Sequence, residues 1–230
     1  FVFVAPSWSS AEETDNDGKE AEQKVDVQAE FRRANNLASR NALTRSIPHY
    51  KKVIDAAPDR YPLALFNLGE VYRVKEDYAP ALVVYHSYLV YARDEATKKE
   101  ARDAIEECLR KTSNKPAKLS VDMTPETRST VSVDGYVVSR DADVDGMRLL
   151  PGTYEVTARA DEHFDKSKSI ELEEGGAIDV TLELQKKTFF GTVELDVDQD
   201  DANVKVEPME LDAPDSPDAP ENPGFETKSP

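Results

Sequence analysis

The chain has 230 residues, 46 of them acidic against 29 basic, for a formal net charge of −17. Nucleic acid is a poor fit as a ligand, because phosphate binding needs clustered Lys and Arg that release counterions, and no basic stripe is present. A single cysteine, Cys108, rules out an internal disulfide, and no stretch approaches the ~18 apolar residues that a membrane span requires.

Charge is unevenly spread. Residues 27–114 come to about +3, residues 115–188 to about −5, and both ends are strongly acidic. Together with the crowding of Pro and Asp near the end, this predicts two small domains with disordered acidic flanks. Residues 1–11, Phe-Val-Phe-Val-Ala-Pro-Ser-Trp-Ser-Ser-Ala, read as the end of a secretory signal: an apolar run, then small residues before Glu12. Export to the periplasm or cell envelope is therefore expected, with membrane association only through a segment outside this chain. Residues 12–26 carry almost no large apolar side chain and are read as a disordered leader.

From Val27 the apolar period becomes helical. Phe31, Ala34 and Leu37 share one face, and Ile47, Tyr50, Val53 and Ile54 share the next. Pro58 closes this pair, since the residue before a proline is pushed out of the α region. A second pair begins near Tyr61-Pro62 and places Leu65, Leu68, Gly69 and Tyr72 on one helix and Tyr78, Ala81, Leu82 and Tyr85 on the other. A last helix, Glu95 to Lys111, gathers Ala101, Ala104, Ile105, Cys108 and Leu109 on its apolar side and reads as a solvating cap. The helical part is thus assigned to residues 27–112.

Beyond Pro116 the period is two. Residues 118–124, 130–134, 152–158 and 177–184 alternate apolar with polar and are bounded by turn residues, which predicts a small antiparallel β-sandwich over 117–187. Asp134-Gly135 and Pro151-Gly152 are the expected strand-reversing turns. Residues 189–211 alternate again and read as a partial second β repeat. Residues 212–230, rich in Pro and Asp, read as a disordered linker.

Leu65, Leu68, Gly69, Tyr72, Ala81, Tyr85 and, one repeat earlier, Ala34, Leu37, Tyr50 and Pro58 resemble the tetratricopeptide pattern over about two and a half repeats of ~34 residues. Glu30 and Arg33 depart from it. The β part resembles a PEGA domain through Val131-Ser-Val-Asp-Gly135, Leu150-Pro-Gly-Thr-Tyr-Glu-Val156 and Glu174-Gly-Gly-Ala-Ile-Asp-Val180, although Thr127 and Arg128 replace the Gly and Ala of the family signature. These resemblances imply a short helical solenoid followed by a β-sandwich, as in exported proteins of Gram-negative bacteria. A tetratricopeptide scaffold lines its concave face with the first helix of each pair. The implied protein-binding residues are then Phe31, Arg32, Asn35, Phe66, Asn67, Glu70 and Arg73. Asn35 and Asn67 fall where the carboxylate-clamp subfamily places its asparagines, but Phe31 stands in place of the clamp's first lysine.

Other chemistry finds less footing. Asp141-Ala-Asp-Val-Asp-Gly146 has the first half of a calcium-loop pattern, but Gly152 stands where the closing Glu belongs, and a polar hairpin loop between strands is the preferred reading. His49, His86 and His163 are far apart, and Cys108 sits on an apolar helix face, so neither a metal site nor a catalytic group is expected. The chain reads as a non-enzymatic exported adaptor without cofactor, its groove holding a protein segment and its β domain serving as spacer or envelope attachment. Because a solenoid needs about three repeats, a partner or a second copy is expected to complete the stack. The alternative is a cell-wall polymer or polysaccharide held by the β domain, for which Tyr136, Tyr154 and Phe164 are the available aromatics.

Overall fold

The computed structural model describes residues 26–125 and 128–188. The readings of residues 1–11, 12–25, 189–211 and 212–230 lie outside these described residues. Five helices come first: α1 (Val27–Ser39), α2 (Leu43–Ala56), α3 (Pro62–Val74), α4 (Tyr78–Tyr91) and α5 (Glu95–Lys111). Asp26 starts α1 by accepting the Ala29 N–H at 2.9 Å, and Asp94 starts α5 by accepting that of Thr97 at 2.9 Å. Each carboxylate satisfies a donor that the first helical turn leaves orphaned. Pro62 opens α3 at the position where a missing N–H costs nothing. Three-residue connections follow α1 and α3, with Asn41 (φ 58°) and Glu76 (φ 60°) in the left-handed region, and each folds a helix back on its predecessor.

The predicted helical faces are the buried ones. α1 buries Phe31, Ala34 and Ala38, α2 buries Tyr50, Val53 and Ile54, and α5 buries the five expected residues from Ala101 to Leu109. Leu37 and Ile47 are only half-buried. α4 departs from this amphipathic rule. Ala81, Leu82, Val83, Val84 and Tyr85 are buried in succession, and five residues at about 100° each go all the way round a helix. A helix that is apolar all round must be covered on every side.

Seven strands follow: β1 (Ala117–Thr124), β2 (Ser129–Val133), β3 (Tyr136–Arg140), β4 (Val144–Leu149), β5 (Gly152–Ala160), β6 (Lys166–Leu172) and β7 (Ala177–Glu183). They form a three-stranded sheet in the order β4-β1-β7 and a four-stranded sheet in the order β3-β2-β5-β6. The expectation of purely antiparallel pairing fails at one place, because β1 and β7 run parallel, with Lys118 opposite Ala177 and Thr124 opposite Glu183. The long excursion through five intervening strands removes the tight-turn constraint that would force an antiparallel pair.

Asp134-Gly135 does form the expected reversal, joining β2 to β3 with φ of 49° and 82°, as a two-residue hairpin turn requires. Pro151-Gly152 does not reverse a strand onto its neighbour: β4 and β5 belong to different sheets. For the same reason the loop at 141–143 is a crossing between sheets rather than a hairpin.

The helices and sheets meet along α4, which packs against β3 and β4. The Nε2–H of His86 donates to the Arg148 carbonyl at 3.3 Å. Arg140 of β3 lies over the Tyr91 ring, 4.5 Å from its centroid, while its guanidinium donates to both carboxylate oxygens of Asp59 at 2.9 and 3.1 Å. Arg148 of β4 pairs with Glu106 of α5. The sheets thus cover the side of α4 that α3 and α5 leave open.

Candidate functional site

The site is built on the packing of α1, α3 and α5. Gly69 lets α4 approach α3 so closely that a Cβ there would sit 2.6 Å from the Tyr85 ring. The Tyr85 hydroxyl then reaches Glu70 and donates to its Oε1 at 2.6 Å. Arg73 holds both oxygens of Glu70 at 3.1 and 2.7 Å and reaches Glu107 of α5 at 3.0 Å. The hydrogen bond to Glu70 raises the Arg73 pKa above its usual value, and burial, followed by the Glu70 charge, pushes the Tyr85 hydroxyl up. The resulting chain links α4, α3 and α5 through three charges that alternate in sign.

A second polar chain links α1, α2 and α3. Asn35 Oδ1 accepts from the Tyr50 hydroxyl at 2.7 Å and from Asn67 Nδ2 at 3.0 Å. Burial raises the Tyr50 pKa, so this donor stays protonated at physiological pH. Asn67 itself is 4% exposed.

Four of the seven expected contact residues, Asn35, Asn67, Glu70 and Arg73, are therefore held in internal networks, with Asn35, Glu70 and Arg73 still half-exposed. Phe66 is half-buried against Tyr85 and Tyr88, with ring centroids 5.8 and 5.3 Å away. Arg32 is exposed and has no ion-pair partner among the described residues. Phe31 differs from the rest: it is buried against Tyr50 and Tyr61 and belongs to the core.

Next to Glu70 a cleft of about 320 Å³ opens between α1 and α3. Ala38, Leu43, Val71 and Val74 give it apolar walls, while Ser39 and Asn41 line it beside the carboxylate. Lys75 spans its neighbourhood with a hydrogen bond to Thr44 at 3.1 Å. Sequence reasoning missed this cleft and the parts of Glu107 and Tyr85 in the network. Tyr85 stands out in the sequence as an apolar-face residue of its helix, but the cleft arises only where the end of α1 meets the end of α3, which no local pattern reports.

The competing candidates have structural duties. Asp141 Oδ1 accepts the Ser129 N–H and Asp143 Oδ1 accepts that of Met123, each at 2.9 Å, so these carboxylates fasten the strand crossing. Among the described residues no group of three or more His, Cys, Asp or Glu is placed to hold a metal ion. His49 pairs with Glu30, whose pKa that hydrogen bond lowers. His86 is half-buried under β4, and His163 lies near the Asp161 carbonyl. Cys108 is fully buried, and burial pushes its thiol up to about 11, far from a reactive thiolate.

Of the aromatics considered for polymer binding, Tyr154 is buried and donates to the Leu150 carbonyl at 2.9 Å. The Tyr136 hydroxyl is buried beside Tyr72, and Phe164 alone of the three is exposed, at 57%. Among the described residues no helix is long and apolar enough to cross a membrane. No family model matches the chain and no curated protein matches it.

Proposed function

We propose that the chain is a non-enzymatic exported adaptor whose helical groove binds a segment of another protein, with the β part positioning that groove at the cell envelope. The observation that carries this reading is the surface of α1 and α3. Its polar side chains are locked by the Tyr50–Asn35–Asn67 and Tyr85–Glu70–Arg73–Glu107 chains of hydrogen bonds, beside an open cleft with apolar walls. A surface held in place before binding loses little side-chain entropy when a peptide arrives, which favours recognition. An apolar cleft flanked by polar groups gives one side-chain pocket and hydrogen bonds for the peptide around it.

The tetratricopeptide reading is supported by the folding-back of α1 on α2 and of α3 on α4, and by the Tyr85 ring seated on Gly69. The reading of the two sheets as a PEGA-like sandwich is supported by the Asp134-Gly135 hairpin and by the alternating burial of β1 and β5. Envelope location rests on the signal-like residues 1–11 alone.

The test is a random-peptide display selection on the full chain, repeated on Ser39→Trp and Arg32→Glu. Both positions are exposed, so the fold tolerates the changes, and the indole would fill the cleft mouth. Selected peptides should lose at least roughly ten-fold in affinity for Ser39→Trp, about the worth of one well-buried side chain. Peptides that ignore both substitutions would show that the groove is not the binding surface.

A further inference from the structure

We propose that the open edge of β7 is a protein-binding surface of its own, which takes up as an added strand an extended segment of another protein that alternates Lys or Arg with apolar residues. This surface lies apart from the helical groove and stands whatever that groove binds.

The two sheets end in the edge strands β3, β4, β6 and β7. An uncovered edge invites pairing with another chain, so proteins cover it or blunt it with inward-pointing charge. β3 and β4 lie against α4, and Arg148 of β4 pairs with Glu106 of α5. β6 carries Lys166 and Lys168 on the face that also holds the buried Ile170 and Leu172, and lysines on the inward face of an edge oppose a further strand. β7 has no such device. It contains no Pro, its pairing with β1 runs from Ala177 to Glu183 without a bulge, and its inward side chains Ile178, Val180 and Leu182 are apolar.

The Lys118 N–H donates to the Gly176 carbonyl at 2.9 Å and the Leu184 N–H to the Thr124 carbonyl at 2.8 Å, so the even-numbered residues of this segment face β1. Successive residues of a strand bond to opposite sides, which leaves the N–H and C=O groups of Asp179, Thr181 and Glu183 on the open side. Lys166 Nζ takes the Glu183 carbonyl at 3.2 Å, and no strand pairs with Asp179 or Thr181 on that side among the described residues.

Charge decides what fits. Asp179 and Glu183 point to the outer face, where β1 sets Asp122 beside Thr181 and β4 adds Asp145. These four carboxylates are exposed and in no ion pair among the described residues. The charges around them lie at the margins. Lys118 and Arg148 share the row of Ala177, with Lys115, Glu173 and Glu174 before it. Lys186 follows Glu183, and Lys166 and Lys168 belong to the inward face of β6. An added strand therefore meets carboxylates on its outer side. Its inward side chains must be uncharged to lie beside the β6 lysines, and apolar to continue the layer of Val180 and Leu182. Half-buried Ile178 and Leu184 and the exposed Phe164, whose N–H donates to the Gln185 carbonyl at 2.9 Å, extend the apolar contact. Strand addition takes its affinity from main-chain bonds and its specificity from the alternating side chains. A second copy fits worse, because edge-to-edge pairing brings two rows of Asp179 and Glu183 onto one face.

The probe is a fluorescein-labelled synthetic peptide of alternating Lys and Val, with a counterpart of alternating Glu and Val, read by anisotropy against the full chain. The Lys peptide should bind the unaltered chain and lose at least roughly ten-fold in affinity on Thr181→Pro, which removes only an outward N–H. Asp179→Lys/Glu183→Lys should weaken it about ten-fold and make the Glu peptide the better ligand. Amide hydrogen exchange adds a readout that adsorption by charge does not move. The N–H groups of Asp179 and Thr181 should exchange fast in the free chain and slow when the Lys peptide is present.

No binding of the Lys peptide, indifference to Thr181→Pro, or equal binding of the two peptides to the unaltered chain overturns the proposal. So does protection of the Asp179 and Thr181 amides in the free chain: in a dimer that Thr181→Pro dissociates, the occupant is a second copy, and in a monomer the chain covers its own edge. Ser39→Trp, which blocks the cleft, should leave the Lys peptide unaffected, and a loss there would place the peptide in the helical groove instead. The substituted side chains are all exposed, and circular dichroism checks that each form is folded. Where Thr181→Pro does not fold, the charge reversal and the exchange of the two amides decide.

Discussion

Gly69 and Tyr85 set the geometry on which the groove depends, and their contact decides the sign of the simplest substitution. Gly69→Ala gains about 1 kcal/mol of helix propensity, but the added methyl would stand 2.6 Å from the Tyr85 ring. That ring is fully buried and anchored to Glu70 by its hydroxyl, so it cannot swing aside freely. Overpacking of this kind costs about 1–3 kcal/mol. Gly69→Ala should therefore lower stability by roughly 1 kcal/mol in urea unfolding, and a stabilised variant would mean that the ring adjusts without cost. Tyr136 offers the opposite case. Its hydroxyl is buried beside Tyr72 with no partner at good hydrogen-bonding geometry among the described residues, a penalty of about 1–3 kcal/mol. Tyr136→Phe removes the hydroxyl and keeps the ring, and should raise stability by about 1 kcal/mol in the same assay. Gly69, Ala81 and the two asparagines were legible in the sequence because their spacing along a helical period is a local pattern. Glu107 and Ser39 were not, since each matters only through a residue on another helix.

At the scale of elements, α4 shows how a local pattern can be read correctly and still incompletely. Tyr78, Ala81, Leu82 and Tyr85 mark one face, and the structure buries three of them. Val83, Val84, Ser87 and Tyr88 are buried as well, which is the mark of a helix covered on all sides. The composition of residues 78–91 carried that signal, yet the sequence did not say what the cover was. β4 was missed because its start, Val144-Asp-Gly146, reads as part of a polar loop, and β3 and β6 were missed for related reasons. β3 is half-buried throughout most of its length because α4 lies against it, and β6 opens with the exposed run Lys166-Ser-Lys-Ser169, so neither alternates cleanly. The cover on α4 has a consequence for pH. Burial under β4 depresses the His86 pKa to about 4, and the nearby Arg148 charge opposes protonation further, although the hydrogen bond to the Arg148 carbonyl works the other way. The folded-state pKa lies below the ~6.5 of an unfolded histidine, so between those values the unfolded chain binds the proton and the folded one does not. Stability is then full above pH ~6.5 and falls as the pH drops towards ~4, by up to about 1.4 kcal/mol per pH unit and on the order of 3 kcal/mol in all. The carboxylates of Glu30 and Asp59, whose pKa values are lowered by His49 and Arg140, lose their contribution only below the ordinary carboxylate range. Urea unfolding at pH 7 and pH 5 should show a loss of roughly 2 kcal/mol in the natural chain that His86→Gln largely abolishes.

For the molecule as a whole, the contacts along α4 turn a chain with the sequence of two modules into one that shares a hydrophobic core. Composition and period divide it near Pro116, because helical and strand patterns are local properties, whereas the joint depends on residues more than forty positions apart. Arg140 illustrates this. It reaches Asp59 between α2 and α3, Tyr91 at the end of α4, and its own strand β3. The cation–π contact is worth about 0.5–1 kcal/mol at a partly exposed site, and the exposed ion pair about 0.2–1 kcal/mol. Arg140→Ala should therefore cost roughly 1 kcal/mol, most of it absent from Asp59→Ala. The informative readout is which probes respond. If the helices and sheets unfold as one unit, helical ellipticity at 222 nm and the near-ultraviolet tyrosine signal will follow a single transition, and Arg140→Ala will shift both equally. A helical fragment of residues 26–115 would bare the side of α4 that the sheets cover, and should bind a hydrophobic dye or self-associate where the full chain does not. Two separate transitions in the full chain, with only one moved by Arg140→Ala, would mean that the helix–sheet contact contributes too little to couple them, and that the sheets merely touch the helices.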